Sequence, residues 1–419
     1  MFARTLEGIQ TAAPRRVAYT CGVFAFLAFA FAVKTMWFSR LGMWHDRNLV
    51  DFDVFHIVAQ KVWAGGVEGA YHFTKFLEMQ REASGGQDSF MPWTYPPQFA
   101  LLVAPLGLIP VSVAYFLFVV ATFAFYIAVL RAVARDNFTL LLIMLFPAME
   151  ITMACGQNGF LTAGLIGLVC LFFEERPMVA GLALGLMVIK PHLAIAFATY
   201  AIAKRSWIVV ATAAAVVLTS SAICTAVFGT HIWLDLLDSV RDSSAFLEKG
   251  YYPLFRMVSA YAALRSAGIS AWVAFLGQGM VALMALGLVV LSVYRGMSSR
   301  TSLGLTAALS VCISPYAYDY DFLICGIGLA MLLPALQTST SERERTIIYA
   351  APMLVGGYGG FRSSLLATSY DELYVRVFSG GALALAVLIA LIVLVLLRAP
   401  QHQTAPSLSV DDSFAKALQ

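Results

Sequence analysis

Long apolar runs separated by short polar stretches dominate this chain. Val17–Phe38, Val111–Val133, Ser206–Phe228, Ala271–Tyr294 and Val375–Leu397 each hold 18 or more largely apolar residues. As helices they reach across a hydrocarbon core of about 30 Å. Shorter apolar stretches fill the gaps: Phe138–Ile151, Gly159–Phe173, Pro177–Ile189, Ala194–Ala203, Ser302–Ile313, Phe322–Leu336 and Thr346–Phe361. The pattern predicts an all-α polytopic membrane protein, a bundle of about 10–12 transmembrane helices.

Composition agrees. The chain is 60% hydrophobic and 12% charged, whereas a soluble domain is about 45–50% apolar and about 25% charged. The first run follows Arg4, Arg15 and Arg16 and lacks a small-residue cleavage site, and Lys34-Thr-Met-Trp-Phe-Ser-Arg40 beyond it resembles an interfacial anchor. It reads as a retained span rather than a signal peptide. The net charge of +3 is carried by bases at loop ends, with no basic stripe, so nucleic acid is not an expected partner and membrane lipids are. Cys21, Cys155, Cys170, Cys224, Cys312 and Cys325 show neither CxxC nor zinc-ligand spacing and read as small packing residues. No metal site and no cofactor are expected.

Basic clusters at returning ends (Arg131 and Arg135, Arg176, Lys204-Arg205, Arg295 and Arg300, Arg398) set the topology through the positive-inside rule. Both termini fall in the cytoplasm, with a large first outer loop at 39–96 carrying amphipathic helices and a second at 229–252. Residues 1–398 are expected to form one integral membrane domain, and 399–419 a disordered cytoplasmic tail.

Charge is scarce, so its placement is informative. Val50–Gln98 begins Asp51-Phe-Asp53-Val-Phe-His56 and ends Trp93-Thr-Tyr95-Pro96-Pro97. On this topology Asp51, Tyr95, Gln157, Lys190, Arg256 and Asp319 all emerge at the outer face from six separate parts of the chain. Several belong to spans of only about 12–14 residues, roughly 18–21 Å of helix. Short helices ending below the surface leave a cavity, and broken segments with polar tips point to a substrate site.

Each residue also has a plainer explanation. Asp53 caps a helix over Val54–Trp63 lying along the membrane. Asp51, one step outside, has less structural reason to be acidic and is a candidate general base. Lys190, between two short segments, either binds an anion or snorkels. Arg256 either binds an anion or anchors at the headgroups. Gly156-Gln157-Asn158-Gly159 makes a good turn between spans. In Ser314-Pro-Tyr-Ala-Tyr318-Asp319-Tyr320-Asp321 an aromatic belt explains the tyrosines but not the acids.

Read together, these motifs resemble glycosyltransferase family 87, the polyprenyl-phosphate-sugar-dependent enzymes within the GT-C superfamily. The matching elements run in order over roughly residues 45–325: Asp51-Phe-Asp-Val-Phe, Gly65-Gly-Val-Glu-Gly-Ala-Tyr71, Trp93-Thr-Tyr95-Pro96-Pro97, Pro105-Leu-Gly-Leu-Ile-Pro110, Gly156-Gln157-Asn158, Arg176-Pro177 with Ala180-Gly181, Lys190-Pro191, and Ser314-Pro315 with Tyr320-Asp321. Two positions depart. The turn continues Tyr71-His72 where Tyr-Asp is usual, and some relatives carry histidines where this chain has Tyr320-Asp321.

The resemblance implies a GT-C-like bundle and an inverting glycosyltransferase of the bacterial plasma membrane, with its active site on the outer side. It would move a sugar, mannose as the family-level expectation, from a polyprenyl-phosphate donor to a lipid-linked or glycan acceptor. Asp51 would be the base, Lys190 and Arg256 would hold the donor phosphate, and Tyr95, Gln157, Asn158, Asp319, Tyr320 and Asp321 would bind substrate. The chain has no glycine-rich nucleotide loop, in keeping with a lipid donor. The rival classes are a secondary transporter, disfavoured by the absence of an internal repeat in the hydropathy, and a lipid-binding membrane protein without catalysis.

Overall fold

The computed structural model describes residues 2–41, 49–365 and 377–398. The expected tail at 399–419 lies outside the described residues, as does the start of the Val375–Leu397 run. The chain opens with α1 (Phe2–Thr11) and α2 (Ala13–Leu41). The first loop holds α3 (Asp51–Ala64) and α4 (Phe73–Ser84), and leads into α5 (Pro97–Val103). A run of helices follows: α6 (Val111–Ala134), α7 (Phe138–Cys155), α8 (Gly159–Phe172), α9 (Pro177–Leu186), α10 (Pro191–Ala203) and α11 (Trp207–Phe228). Then come α12 (Ile232–Lys249), α13 (Ala260–Ser266), α14 (Ala271–Tyr294), α15 (Ser299–Ser310), α16 (Leu323–Ser339), α17 (Glu342–Leu365) and α18 (Gly380–Arg398).

Among the described residues, six stretches are long and apolar enough to cross a membrane: Ala13–Ser39, Val111–Cys155, Trp207–Phe228, Ala271–Tyr294, Asp319–Ser339 and Gly380–Arg398. A turn of 3-10 helix at Arg135–Asn137 divides the second into α6 and α7. The protein is a multi-pass, all-helical membrane protein, and every apolar segment foreseen in the sequence contains a helix. Proline marks several starts: Pro97, Pro177 and Pro191 occupy first-turn positions, where the missing N–H has no helical partner to lose.

Burial sorts the helices. α16 is enclosed, packing on α6, α7, α8 and α15, and its residues from Leu323 to Leu333 are all buried. α2, α11 and α14 leave most of their apolar side chains at least partly exposed, Phe29, Leu218 and Met280 among them, as helices facing lipid do.

Two expectations are corrected. α7 does not stop at Ile151; it runs 18 residues to Cys155. The Thr152 hydroxyl donates to the Ala148 carbonyl at 2.6 Å, so the polar residue is satisfied within the helix and does not end it. The Asp53 helix does not lie along a surface either, because Phe52 to Ala59 are all buried. The loop expected at 229–252 is largely the amphipathic helix α12, held to the first loop where Ser239 donates to the Trp93 carbonyl at 2.6 Å. His72, at the departing position of the turn, faces Asp235 of α12 at 3.5 Å.

Candidate active site

The site forms where six breaks between helices meet. Val50 is extended, and α3 starts at Asp51, so Asp51 is the first helical residue and Asp53 the third. Asp53 is therefore not the helix cap. Its buried carboxylate instead accepts from the Val50 N–H at 2.9 Å and closes the first turn. Both acids lie at the positive end of the helix dipole. Asp51 alone of the two stays partly open.

Gln157 positions Asp51. α7 ends in a left-handed Gly156, φ +64°, with the Gln157 N–H reaching back to the Thr152 carbonyl at 3.1 Å, the usual glycine-terminated stop. A Cβ on Gly156 would come within 2.6 Å of Phe52 Cβ, so glycine also lets α3 approach. The turn presents Gln157, whose amide N–H donates to Asp51 Oδ1 at 3.1 Å. Its oxygen accepts from the Tyr95 hydroxyl at 3.1 Å and the Asn158 N–H at 2.9 Å. Burial pushes the Tyr95 phenol above its ordinary range, so it remains a donor. Tyr95 is fixed in turn by Phe55 and Phe99, with ring centres 5.5 and 4.5 Å away. Its carbonyl accepts from the Tyr71 hydroxyl at 3.0 Å. The turn that the sequence explains structurally thus also holds Asp51.

Two ion pairs, one buried and one partly exposed, flank this chain of bonds. Lys190, in the break between α9 and α10, meets Asp321 at 2.7 Å. Arg256, after α12, makes a two-pronged contact with Asp319: Nε to Oδ2 at 3.1 Å and Nη2 to Oδ1 at 3.0 Å. The acids are set by a 3-10 turn, Asp319–Phe322, in which Asp321 accepts from the Tyr318 N–H at 3.2 Å and Asp319 from the Tyr320 N–H at 3.0 Å. Tyr318 and Tyr320 stack at 5.2 Å, and Lys190 sits 4.8 Å over the Tyr320 ring. Arg256 ends a short 3-10 turn, Leu254–Arg256, and the segment after it is fastened just ahead of Asp319 by the Val258 N–H, which donates to the Ala317 carbonyl at 2.8 Å.

The structure therefore brings Asp51, Tyr95, Gln157, Lys190, Arg256, Asp319, Tyr320 and Asp321 into one cluster. The charge of Asp51 acts on Tyr95, Lys190, Arg256, Asp319 and Tyr320. Asn158 follows Gln157 directly, fully buried, and its side-chain amide has no hydrogen-bond partner among the described residues. Each of the two cations is matched to a carboxylate. Asp51 has no ion-pair partner among the described residues.

Sequence reasoning missed two members. Cys155 was read as packing, yet Arg256 Nη2 lies 3.5 Å from its sulfur. Gly359 of α17 abuts the Arg256–Asp319 pair: an added Cβ would collide with Asp319 Oδ2 and lie 3.2 Å from Arg256 Cα. The signal was the cluster Gly356-Gly-Tyr-Gly-Gly360 inside an apolar run.

Comparison with known proteins gives one match. The family model of glycosyltransferase family 87 matches residues 93–315, more than half of the 419 residues. No curated protein matches the chain, and no solved structure does.

Proposed function

Because this chain belongs to glycosyltransferase family 87, and so is a glycosyltransferase of the membrane, we propose that it transfers a sugar, mannose by expectation, from a polyprenyl-phosphate donor to a lipid-linked or glycan acceptor, with inversion. The observation that carries this reading is the partly open Asp51 carboxylate, held by Gln157 beside two cations, buried Lys190 and half-buried Arg256. The polyprenyl tail stays in the bilayer, where each buried CH₂ contributes about 0.8 kcal/mol. Lys190 and Arg256 face the phosphate and stabilise it as the sugar leaves and its charge grows. Asp51 takes the proton of the acceptor hydroxyl as that oxygen attacks the anomeric carbon. Tyr95, Gln157, Asn158 and Tyr320 line the substrate, while Asp319 and Asp321 hold the cations in place. Residues 1–398 act as one catalytic unit.

The direct test is transfer of labelled mannose from polyprenyl phosphate mannose by the purified full chain in detergent. A protein that leaves this donor intact, with or without added glycoside, would exclude the reading. Gly359→Ala probes the support of Arg256. It should slow transfer by up to about 10²-fold through misplacement of the pair, with helix content unchanged by circular dichroism. Wild-type rates would remove any positional role for α17.

The outer-face placement has its own test. Ser84 and Ser243 are buried, but Ala83, Ser244 and Ser341 are exposed. Single cysteines at Ala83 and Ser244 should react with an impermeant thiol reagent on intact cells, and one at Ser341 should react only after lysis. The reverse pattern would put the site in the cytoplasm.

A further inference from the structure

Of the motifs that carry the family resemblance, Arg176-Pro177 with Ala180-Gly181 has no part in the chemistry above. It opens α9, and Lys190 lies beyond the other end of that helix. Gly181 and Gly185 bring α9 close onto α11. An added Cβ would stand 2.6 Å from Thr212 Cβ at the first and 2.6 Å from Val216 Cβ at the second. Ahead of Gly181 the two helices leave an open groove of about 610 Å³. Met178 and Val179 wall it on one side, and Ile208, Ala211 and Thr212 on the other. Its volume lies within the about 300–1,000 Å³ of small-ligand clefts.

One end of the groove is cationic. Arg176 stands at its mouth, the guanidinium 5.6 Å from the centre of the Phe172 ring. No acceptor and no carboxylate pairs with that guanidinium among the described residues. Lys204 and Arg205 come alongside from the junction of α10 and α11, where Lys204 Nζ lies 4.0 Å from Glu174. Of the two acids in the turn before α9, Glu174 is also engaged by the Ser299 hydroxyl at 2.5 Å, and Glu175 is exposed. Three cations thus stand against two carboxylates, with Arg176 unmatched. The rest of the groove is apolar and open to lipid. Met178, Leu182 and Leu186 are 64%, 47% and 47% exposed, and their four-residue spacing makes one stripe along α9. Ile208, 55% exposed, joins that stripe to the lipid-facing side of α11.

We propose that this groove binds one anionic glycerophospholipid, with its phosphate on Arg176 and an acyl chain along Met178, Leu182 and Leu186. A basic pocket between membrane helices suits an acidic headgroup, and a planar guanidinium matches two phosphate oxygens at once. A zwitterionic lipid brings its own cation to a place that already holds three, so it binds more weakly. On the topology read from the basic ends, the lipid belongs to the inner leaflet. The site stands apart from Asp51 and does not depend on the transfer chemistry.

The test is native mass spectrometry of the full chain in detergent, titrated separately with dioleoyl phosphatidylglycerol and dioleoyl phosphatidylcholine. Wild type should bind its first phosphatidylglycerol about fivefold or more tightly than phosphatidylcholine. Arg176→Gln should weaken that first binding about tenfold or more, the loss expected for a charged hydrogen-bonding group, and Arg176→Lys should fall between. Ala211→Phe keeps the arginine but fills the groove from an exposed position on α11, and should weaken binding comparably. Arg295→Gln, at an exposed arginine on another returning end, should leave it nearly unchanged. Should Arg176→Gln fail to fold, Arg176→Lys and Ala211→Phe decide the matter. Equal affinity for the two lipids, an unaffected Ala211→Phe, or an Arg295→Gln as weak as Arg176→Gln would each overturn the inference. So would displacement of phosphatidylglycerol by an equal amount of polyprenyl phosphate, which would give the groove to the donor lipid instead.

Discussion

The Asp51→Asn protein should transfer sugar about 10²–10⁴-fold more slowly than wild type, the usual cost of losing a general base. Expression and donor affinity should be nearly unchanged. The substitution keeps size and a hydrogen-bonding oxygen towards Gln157 but removes the site that accepts a proton. Asp53→Asn, two residues on, should be mild, since an amide oxygen can still accept from the Val50 N–H that Asp53 now holds at 2.9 Å. Asp319 and Asp321 are poor substitutes as base, because each carboxylate is already committed to a cation, at 3.0 and 2.7 Å. A dead Asp53→Asn beside an active Asp51→Asn would move the base by two positions. Retained activity in both would remove it from α3.

The second large effect is on stability. Lys190→Met leaves Asp321, with 2% of its side chain exposed, as a buried charge with no cation. Breaking a buried pair from one side costs about 3–5 kcal/mol, read as a lower denaturation midpoint in mixed micelles. Lys190→Met with Asp321→Asn removes both charges and keeps an acceptor for the Tyr318 N–H, so it should recover most of that loss. Donor affinity should not recover: loss of one charge-assisted bond of about 1.5–3 kcal/mol corresponds to roughly 10–150-fold. A single variant as stable as wild type would argue against the ion pair. A double variant that binds donor normally would separate Lys190 from the phosphate.

Much of this arrangement was legible in the sequence. Apolar length placed a helix in every apolar run, because twenty apolar residues in lipid have few alternatives to a helix. Asp51, Lys190, Arg256 and Asp319 were found because charge in such a chain is rare, and Gln157 because it stands in a turn between two apolar runs. What hydropathy cannot carry is rotation. Lys190 and Asp321 are 131 residues apart, and only the turn of each helix about its own axis decides that they meet. The same blindness hid Gly359, whose value lies in what a side chain there would strike, and Cys155, whose sulfur faces an arginine instead of lipid. Asp53 was misassigned for a local reason: an acid before an apolar run fits either the cap or the third helical position, and only the extended Val50 distinguishes them.

The pairing of acids and cations also fixes the electrical history of a turnover. Two cations stand against three carboxylates, so the resting cluster is one unit negative. On the proposed chemistry, the departing phosphate gains one negative charge in the same step that Asp51 loses one to the acceptor's proton. The charge migrates from the α3 side of the cluster towards Lys190 and Arg256 without changing its total. Chemistry of this kind draws no ion from the water and none from the lipid. Restoring the resting state then requires both the phosphate and the Asp51 proton to depart, which makes product release the step where the solution outside first enters the cycle.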